Sequence, residues 1–164
     1  MVDTKYNTFE ILQIAERIER NGAEFYRRGA GLVESERVRR MFYKLAEWEE
    51  RHEKLFGQMR KEFGKQMSEL ENFNPSIYMR CDPRMIEGLA MSVIRPESAH
   101  ALTGKESAKE ILERAVEIEE DTLVFYEELK EKARDLSGVY KIGDIIKEEK
   151  RHIMVLGRLI EELV

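Results

Sequence analysis

Apolar and small residues recur at positions 11, 14, 15, 18, 22, 25 and 26, the spacing of one helix face, and carry a first helix from a capping-box-like Asn7-x-x-Glu10 to about Gly31. Ser35 caps a second helix, whose stripe of Val38, Met41, Phe42, Leu45, Trp48, Leu55, Phe56 and Met59 runs to about Gly64. The full capping box Ser107-x-x-Glu110 opens a third, which reaches about Asp135. The fourth follows Ser137-Gly138 and runs to the C-terminus through Ile142, Ile145, Ile146, Ile153, Leu156, Leu159 and Ile160. Strand signals are absent. The interval 65–106 is different: it holds all three prolines (Pro75, Pro83 and Pro96) and only a brief helical piece over 84–93. The pattern predicts an all-α, single-domain four-helix bundle of two short-turned hairpins, 8–64 and 107–163. A long crossover joins them and makes the second and third helices parallel. It is expected to lie along the bundle side as a short fifth element.

The apolar stripes are interrupted by polar residues that occur twice, one hundred residues apart. Glu19 and Glu119 are each followed thirty residues later by Glu-x-x-His, at Glu49/His52 and Glu149/His152. The repeat extends to Phe25-Tyr26 and Phe125-Tyr126, and twelve positions between Glu10 and Gly57 match the residue one hundred later. A duplicated helical hairpin accounts for this.

Two residues at one height in an antiparallel helix pair lie equally far from the turn. Glu19 and the middle of Glu49/His52 are centred between residues 34 and 35, and their counterparts between 134 and 135, where the caps and periodicity place the turns. All six side chains can therefore share one level in mid-bundle, and are expected to be buried together. Glu and His three apart lie on one helix face and can offer an oxygen and a nitrogen to the same metal. The carboxylates of Glu49 and Glu149 can bridge two metals, Glu19 and Glu119 can terminate one each, and His52 and His152 can complete the set. Four carboxylates match two divalent cations in charge. A salt-bridged surface face would have no reason to place these residues next to Ile18, Leu45, Trp48 and Ile145.

Composition narrows the partners. A net charge of -5, with basic residues scattered among acidic ones, provides no cationic stripe for nucleic acid. No apolar run reaches the roughly twenty residues of a membrane span, and the N-terminus lacks a basic stretch leading into an apolar one, so a cytoplasmic protein is expected. Cys81 is the single cysteine, which leaves no disulfide within the chain and no Cys-x-x-Cys iron site. It reads as a small packed side chain, His100 as a solvent-facing loop residue, and Met79, Met85 and Met91 as filler under the crossover. Tyr26 and Tyr126 follow Glu19 and Glu119 by seven residues on the same face. They read as core residues with a bonded hydroxyl, or as supports of the metal ligands or an electron path; Trp48 is read in the same way.

Ala15-x-x-x-Glu19 with Phe25-Tyr26, then Leu45-Ala46-x-x-Glu49-x-x-His52, resembles the rubrerythrin-like branch of the ferritin-like superfamily, and the likeness covers both hairpins. It implies two iron ions, or manganese or a mixed pair, held by Glu19, Glu49, His52, Glu119, Glu149 and His152. It also implies an oxidoreductase that reduces hydrogen peroxide or dioxygen in oxidative-stress defence. Rubrerythrins carry an additional Glu one turn after the third-helix ligand, where this chain has Thr122, and a four-cysteine rubredoxin-type domain that has no counterpart here. The resemblance therefore implies electrons from an external donor such as a rubredoxin-type protein. A ferroxidase for iron storage and a non-catalytic metal-binding bundle are the alternatives, and a homodimer is the expected assembly.

Overall fold

Residues 8–69, 83–93, 102–132 and 136–163 are described by a computed structural model. They form α1 (Thr8–Leu32), α2 (Glu36–Ser68), α3 (Pro83–Val93), α4 (Ala108–Lys132) and α5 (Leu136–Glu161), with no strand among the described residues. None of these helices is long and apolar enough to cross a membrane. Asn7, Pro75, Met79, Cys81, Pro96, His100 and Asp135 lie outside the described residues.

The caps act as their residue types require. Ser35 has extended backbone (ψ 115°) and its hydroxyl accepts the Val38 N–H at 3.4 Å. At the start of α4 the Glu110 N–H donates to Ser107 Oγ at 3.2 Å while the Ser107 N–H donates to Glu110 Oε2 at 2.7 Å. Just upstream, Glu106 accepts the N–H groups of Thr103 and Gly104 at 2.9 Å each, around a left-handed turn at Gly104 (φ 87°) that glycine tolerates. These bonds, that of Thr103 foremost, pull the Glu106 carboxyl down to about 2.

Two helix limits differ from the sequence reading. α2 continues past Gly64 to Ser68, because Gly64 is a contact point: a Cβ there would lie 3.6 Å from the Phe9 ring. α5 begins at Leu136, so Ser137 and Gly138 fall inside its first turn, where N–H groups lack intrahelical partners in any case.

The core divides into two apolar layers, which also fix the helix directions. One joins Ile11, Leu12, Ala15 and Ile18 of α1 to Phe56 and Met59 of α2, Phe125, Tyr126 and Leu129 of α4, and Ile142, Ile145 and Ile146 of α5. The other joins Tyr26 and Ala30 to Val38, Phe42, Leu45 and Ala46, to Ile111, Leu112 and Ala115, and to Leu156 and Leu159. The start of α1 thus meets the end of α2, the end of α4 and the start of α5. α2 and α4 are therefore parallel, as a long crossover requires. Along that crossover α3 packs on α1 with Ala90 fully buried, an Arg17–Glu87 ion pair, and Asn21 donating to Glu87 at 3.4 Å and to Met91 Sδ at 3.5 Å.

The layers are related by the repeat but are not copies. Gly29 is required by a close approach, since a Cβ there would come within 2.7 Å of the Phe42 ring. One hundred residues later the pair is Leu129 and Ile142, both buried, so the large and small members have exchanged sides. The volume is conserved while the shape is not.

Candidate metal centre

Between the two layers lie Glu19 from α1, Glu49 and His52 from α2, Glu119 from α4, and Glu149 and His152 from α5, each at most 4 % exposed. The structure brings all six sequence-predicted residues together. His52 Nδ1 stands 2.9 Å from Glu149 Oε1 and 3.4 Å from Glu19 Oε2. His152 Nδ1 stands 2.9 Å from Glu149 Oε2, 3.3 Å from Glu49 Oε1 and 3.5 Å from Glu119 Oε1. Two sets of four emerge, Glu19/Glu49/His52/Glu149 and Glu49/Glu119/Glu149/His152, and within each the donor atoms lie within 4.8 Å of one another. Glu49 and Glu149 belong to both.

These contacts are ion pairs that lack hydrogen-bond geometry. Glu19 Oε2, Glu49 Oε1, both Glu149 oxygens and both histidine Nδ1 atoms are buried without a hydrogen-bond partner. A folded protein rarely leaves six such atoms unsatisfied in one place, because each costs about 1–3 kcal/mol. Bonds of about 2.0–2.2 Å from oxygen and nitrogen to a divalent cation would satisfy them together. Carboxylates with imidazoles suit iron, manganese, zinc or cobalt, and no thiolate is present to favour a softer ion.

Each end of the cluster is closed by a tyrosine from the opposite hairpin. The Tyr26 hydroxyl donates to Glu119 Oε1 and the Tyr126 hydroxyl to Glu19 Oε1. The Tyr26 ring packs edge-on against Phe42 at 5.5 Å, and the Tyr126 ring lies tilted against Phe56 at 5.1 Å. Glu19 thereby keeps Oε2 for the centre, whereas in Glu119 the oxygen that accepts from Tyr26 is also the one that stands 3.5 Å from His152 Nδ1.

No family model matches this chain, and no curated protein matches it by sequence. Among solved structures, a protein of Thermotoga maritima, provisionally described as a ferritin-like diiron-carboxylate protein, shares the fold with a TM-score of 0.67. The match is 22 % identical and spans 97 % of this chain and 98 % of that one. The fold is ferritin-like. At that identity the likeness carries the architecture alone, and the case for metal rests on the buried donor atoms of this ferritin-like bundle.

Protonation shows what the cluster does without a cation. Burial first, then the neighbouring carboxylates of Glu149, Glu119 and Glu19, raise Glu49 well above the ordinary carboxyl range. Burial, with Glu149 next, pushes Glu119 up to about 8. Burial would lower both histidines, but Glu149 and Glu19 outweigh it at His52 and push it up to about 12, while Glu119, Glu149 and Glu49 hold His152 far above the ordinary imidazole range. Glu149 is held low against its burial because both imidazoles face it. Burial and the nearby carboxylates also raise both tyrosines well above 10, so each hydroxyl stays a donor. Protons balance the charge of the cluster here; two divalent cations would replace them.

Three contacts around the site were not read from the sequence, although Trp48 and Thr122 were themselves singled out there. Glu148 stands 3.2 Å from His52 Nε2, the ring nitrogen that faces away from the cluster. Trp48, which occupies the corresponding place in the first hairpin, stacks on the His152 ring at 5.1 Å with an interplanar angle of 6°. Gly22 leaves space beside a shared ligand, for a Cβ there would lie 3.4 Å from Glu49 Cγ, whereas its counterpart Thr122 fills its buried position. The sequence carries no sharp signal for them, since Trp48/Glu148 and Gly22/Thr122 are among the many places between Glu10 and Gly57 where the repeat fails.

Proposed function

We propose that this protein is a di-iron oxidoreductase that reduces hydrogen peroxide or dioxygen with electrons from an external donor, such as a rubredoxin-type protein. The observation that supports it most strongly is the pair of four-residue donor sets sharing Glu49 and Glu149, with six buried atoms awaiting a partner. An iron pair would supply two one-electron couples at one place, enough to take peroxide and two protons to two waters. Glu49 and Glu149 would hold both irons, with Glu19 and His52 on one and Glu119 and His152 on the other.

The protein's own part is to fix those side chains and exclude water. The two apolar layers close the bundle above and below the centre, and Tyr26 and Tyr126 pin the terminal carboxylates. Gly22 keeps a side chain off Glu49, since a Cβ there would touch Glu49 Cγ at 3.4 Å. Trp48, half-buried and stacked on His152, links the centre toward the surface where a donor would dock. A cytoplasmic homodimer is the setting we propose.

The test is the number of irons retained per chain after anaerobic ferrous loading and desalting, in the wild type and in Glu49→Ala/Glu149→Ala. About two irons, lost in the variant, are expected, followed by oxidation of the reduced protein by peroxide. Retention near zero in the wild type sinks the di-iron reading. Two irons inert to peroxide would select the metal-binding bundle, and iron accumulating beyond two per chain in a large assembly would select storage.

A further inference from the structure

The two halves of the centre are related by the repeat, yet their histidines are held differently. His52 has Glu148 at 3.2 Å from Nε2, and the Glu148 side chain is 38 % exposed at the bundle surface. One hundred residues earlier the corresponding side chain is Trp48, whose indole lies flat on His152. A carboxylate in one half is replaced by an aromatic face in the other.

The difference bears on the opposite ring nitrogen. A carboxylate that accepts the Nε2–H fixes the tautomer that leaves Nδ1 with its lone pair, and it raises the basicity of Nδ1. His52 Nδ1 is the buried atom without a partner that faces Glu19 and Glu149. Stacking on Trp48 orients the His152 ring but takes no proton from it. Loss of such an outer partner typically costs about 10–100-fold in metal affinity.

We propose that the two metal positions are unequal, and that Glu148 makes the position formed by Glu19, Glu49, His52 and Glu149 the tighter one, which fills before the position containing His152. The proposal rests on the two-metal reading of the site. Glu148 acts as a positioning residue through His52. The chain therefore builds a directional centre from a duplicated hairpin: one cation is held firmly, and the other sits beside the indole in the more weakly held half.

Stepwise affinities alone would not test this, because repulsion between two dications weakens the second step whichever half fills first. The order of filling does. The chain has three histidines, so their ring resonances can be followed by 15N NMR as Zn(II) is added to the metal-free protein. At one equivalent, His52 should be ligated about tenfold more than His152, with His152 following at the second equivalent. Glu148→Ala should reduce that preference about tenfold or more, and Glu148→Gln, which can still accept the bond, should lie between. Trp48→Glu, which restores the carboxylate to the second half, should raise the share of His152. Equal filling, filling of His152 first, or an unchanged preference in Glu148→Ala would overturn the proposal. Rings that do not respond to Zn(II) at all would overturn the two-metal reading instead.

Discussion

Tyr26 of α1 donates its hydroxyl to Glu119 of α4, across the interface between the two hairpins. The relationship repeats one hundred residues later, where Tyr126 of α4 donates to Glu19 of α1. Each hairpin thereby fixes the lone glutamate of the other, so the halves of the metal centre are interlocked and not merely adjacent.

Replacing Tyr26 by Phe leaves a buried Glu119 oxygen without its donor, which should cost about 1–3 kcal/mol of stability in the metal-free protein. It also frees Glu119 to rotate, so metal affinity should fall by about tenfold. Tyr126→Phe should act on Glu19 in the same way. Urea unfolding and chelator competition measure the two effects separately. Unchanged values in both would mean that the hydroxyls pack without holding the ligands.

The metal-free centre should make stability depend on pH in an unusual direction. Glu119, raised from an ordinary 4.5 to about 8, keeps in the fold a proton that the unfolded chain loses, so its contribution is full below 4.5 and is lost as pH climbs to 8. His52, raised from 6.5 to about 12, acts with the same sign over a higher window. Glu149, held low by the imidazoles, opposes them only below its ordinary 4.5. Metal-free protein should therefore be most stable near pH 5 and lose stability toward pH 9. Metal must displace protons from His52, His152, Glu49 and Glu119, so the stabilisation it adds should grow over the same range. Melting temperatures of metal-free and Zn(II)-loaded protein from pH 5 to 9 check both slopes, and a metal-free Tm that rises across that range would refute the protonation scheme.

Much of this arrangement was legible as periodicity. Both hairpins, the crossover and the shared level of the six polar residues follow from where apolar stripes begin, end and admit Glu or His. The cross-hairpin bonds of Tyr26 and Tyr126 were not legible, because spacing along a helix tells which residues share a face and not which neighbouring helix that face meets. Glu148 was hidden for a related reason. It is one residue from the ligand Glu149, on a half-exposed edge, and serves a histidine ninety-six residues away. Gly64 and Ser137-Gly138 read as helix boundaries because glycine and serine weaken helices in isolation, while packing against Phe9 and placement in a first turn override that preference.

The exchange of large and small residues between Gly29/Phe42 and Leu129/Ile142 predicts a rescue. Gly29→Ala gains helix propensity worth about 1 kcal/mol, but places a methyl 2.7 Å from Phe42 Cε2 and 3.3 Å from Ile111 Cγ2. Overpacking of that kind costs about 1–3 kcal/mol, so net destabilisation is expected. Phe42→Ile alone leaves a void beside Gly29 and should also destabilise. Together the two changes should be less harmful than their sum, by about 1 kcal/mol or more, because each relieves the fault of the other. A double-mutant cycle in urea gives the coupling directly, and strict additivity would mean that the helices move apart instead of interlocking.

Trp48 is the chain's single tryptophan, and its indole lies flat against His152, so its emission reports on that half of the centre without a label. In the metal-free protein the carboxylates of Glu119, Glu149 and Glu49 favour the protonated His152 ring, and an imidazolium stacked on indole accepts excitation and quenches it. Zn(II), a closed-shell cation, should displace that proton and brighten the emission. Ferrous iron, with its open shell a few ångströms beyond the same ring, should quench it further. Opposite responses to two ions of equal charge separate occupation of the centre from a general change in folding, which would move the emission the same way for both. In Glu49→Ala/Glu149→Ala neither ion should have an effect. A wild-type emission indifferent to both, at concentrations that saturate binding, would place the metal away from His152.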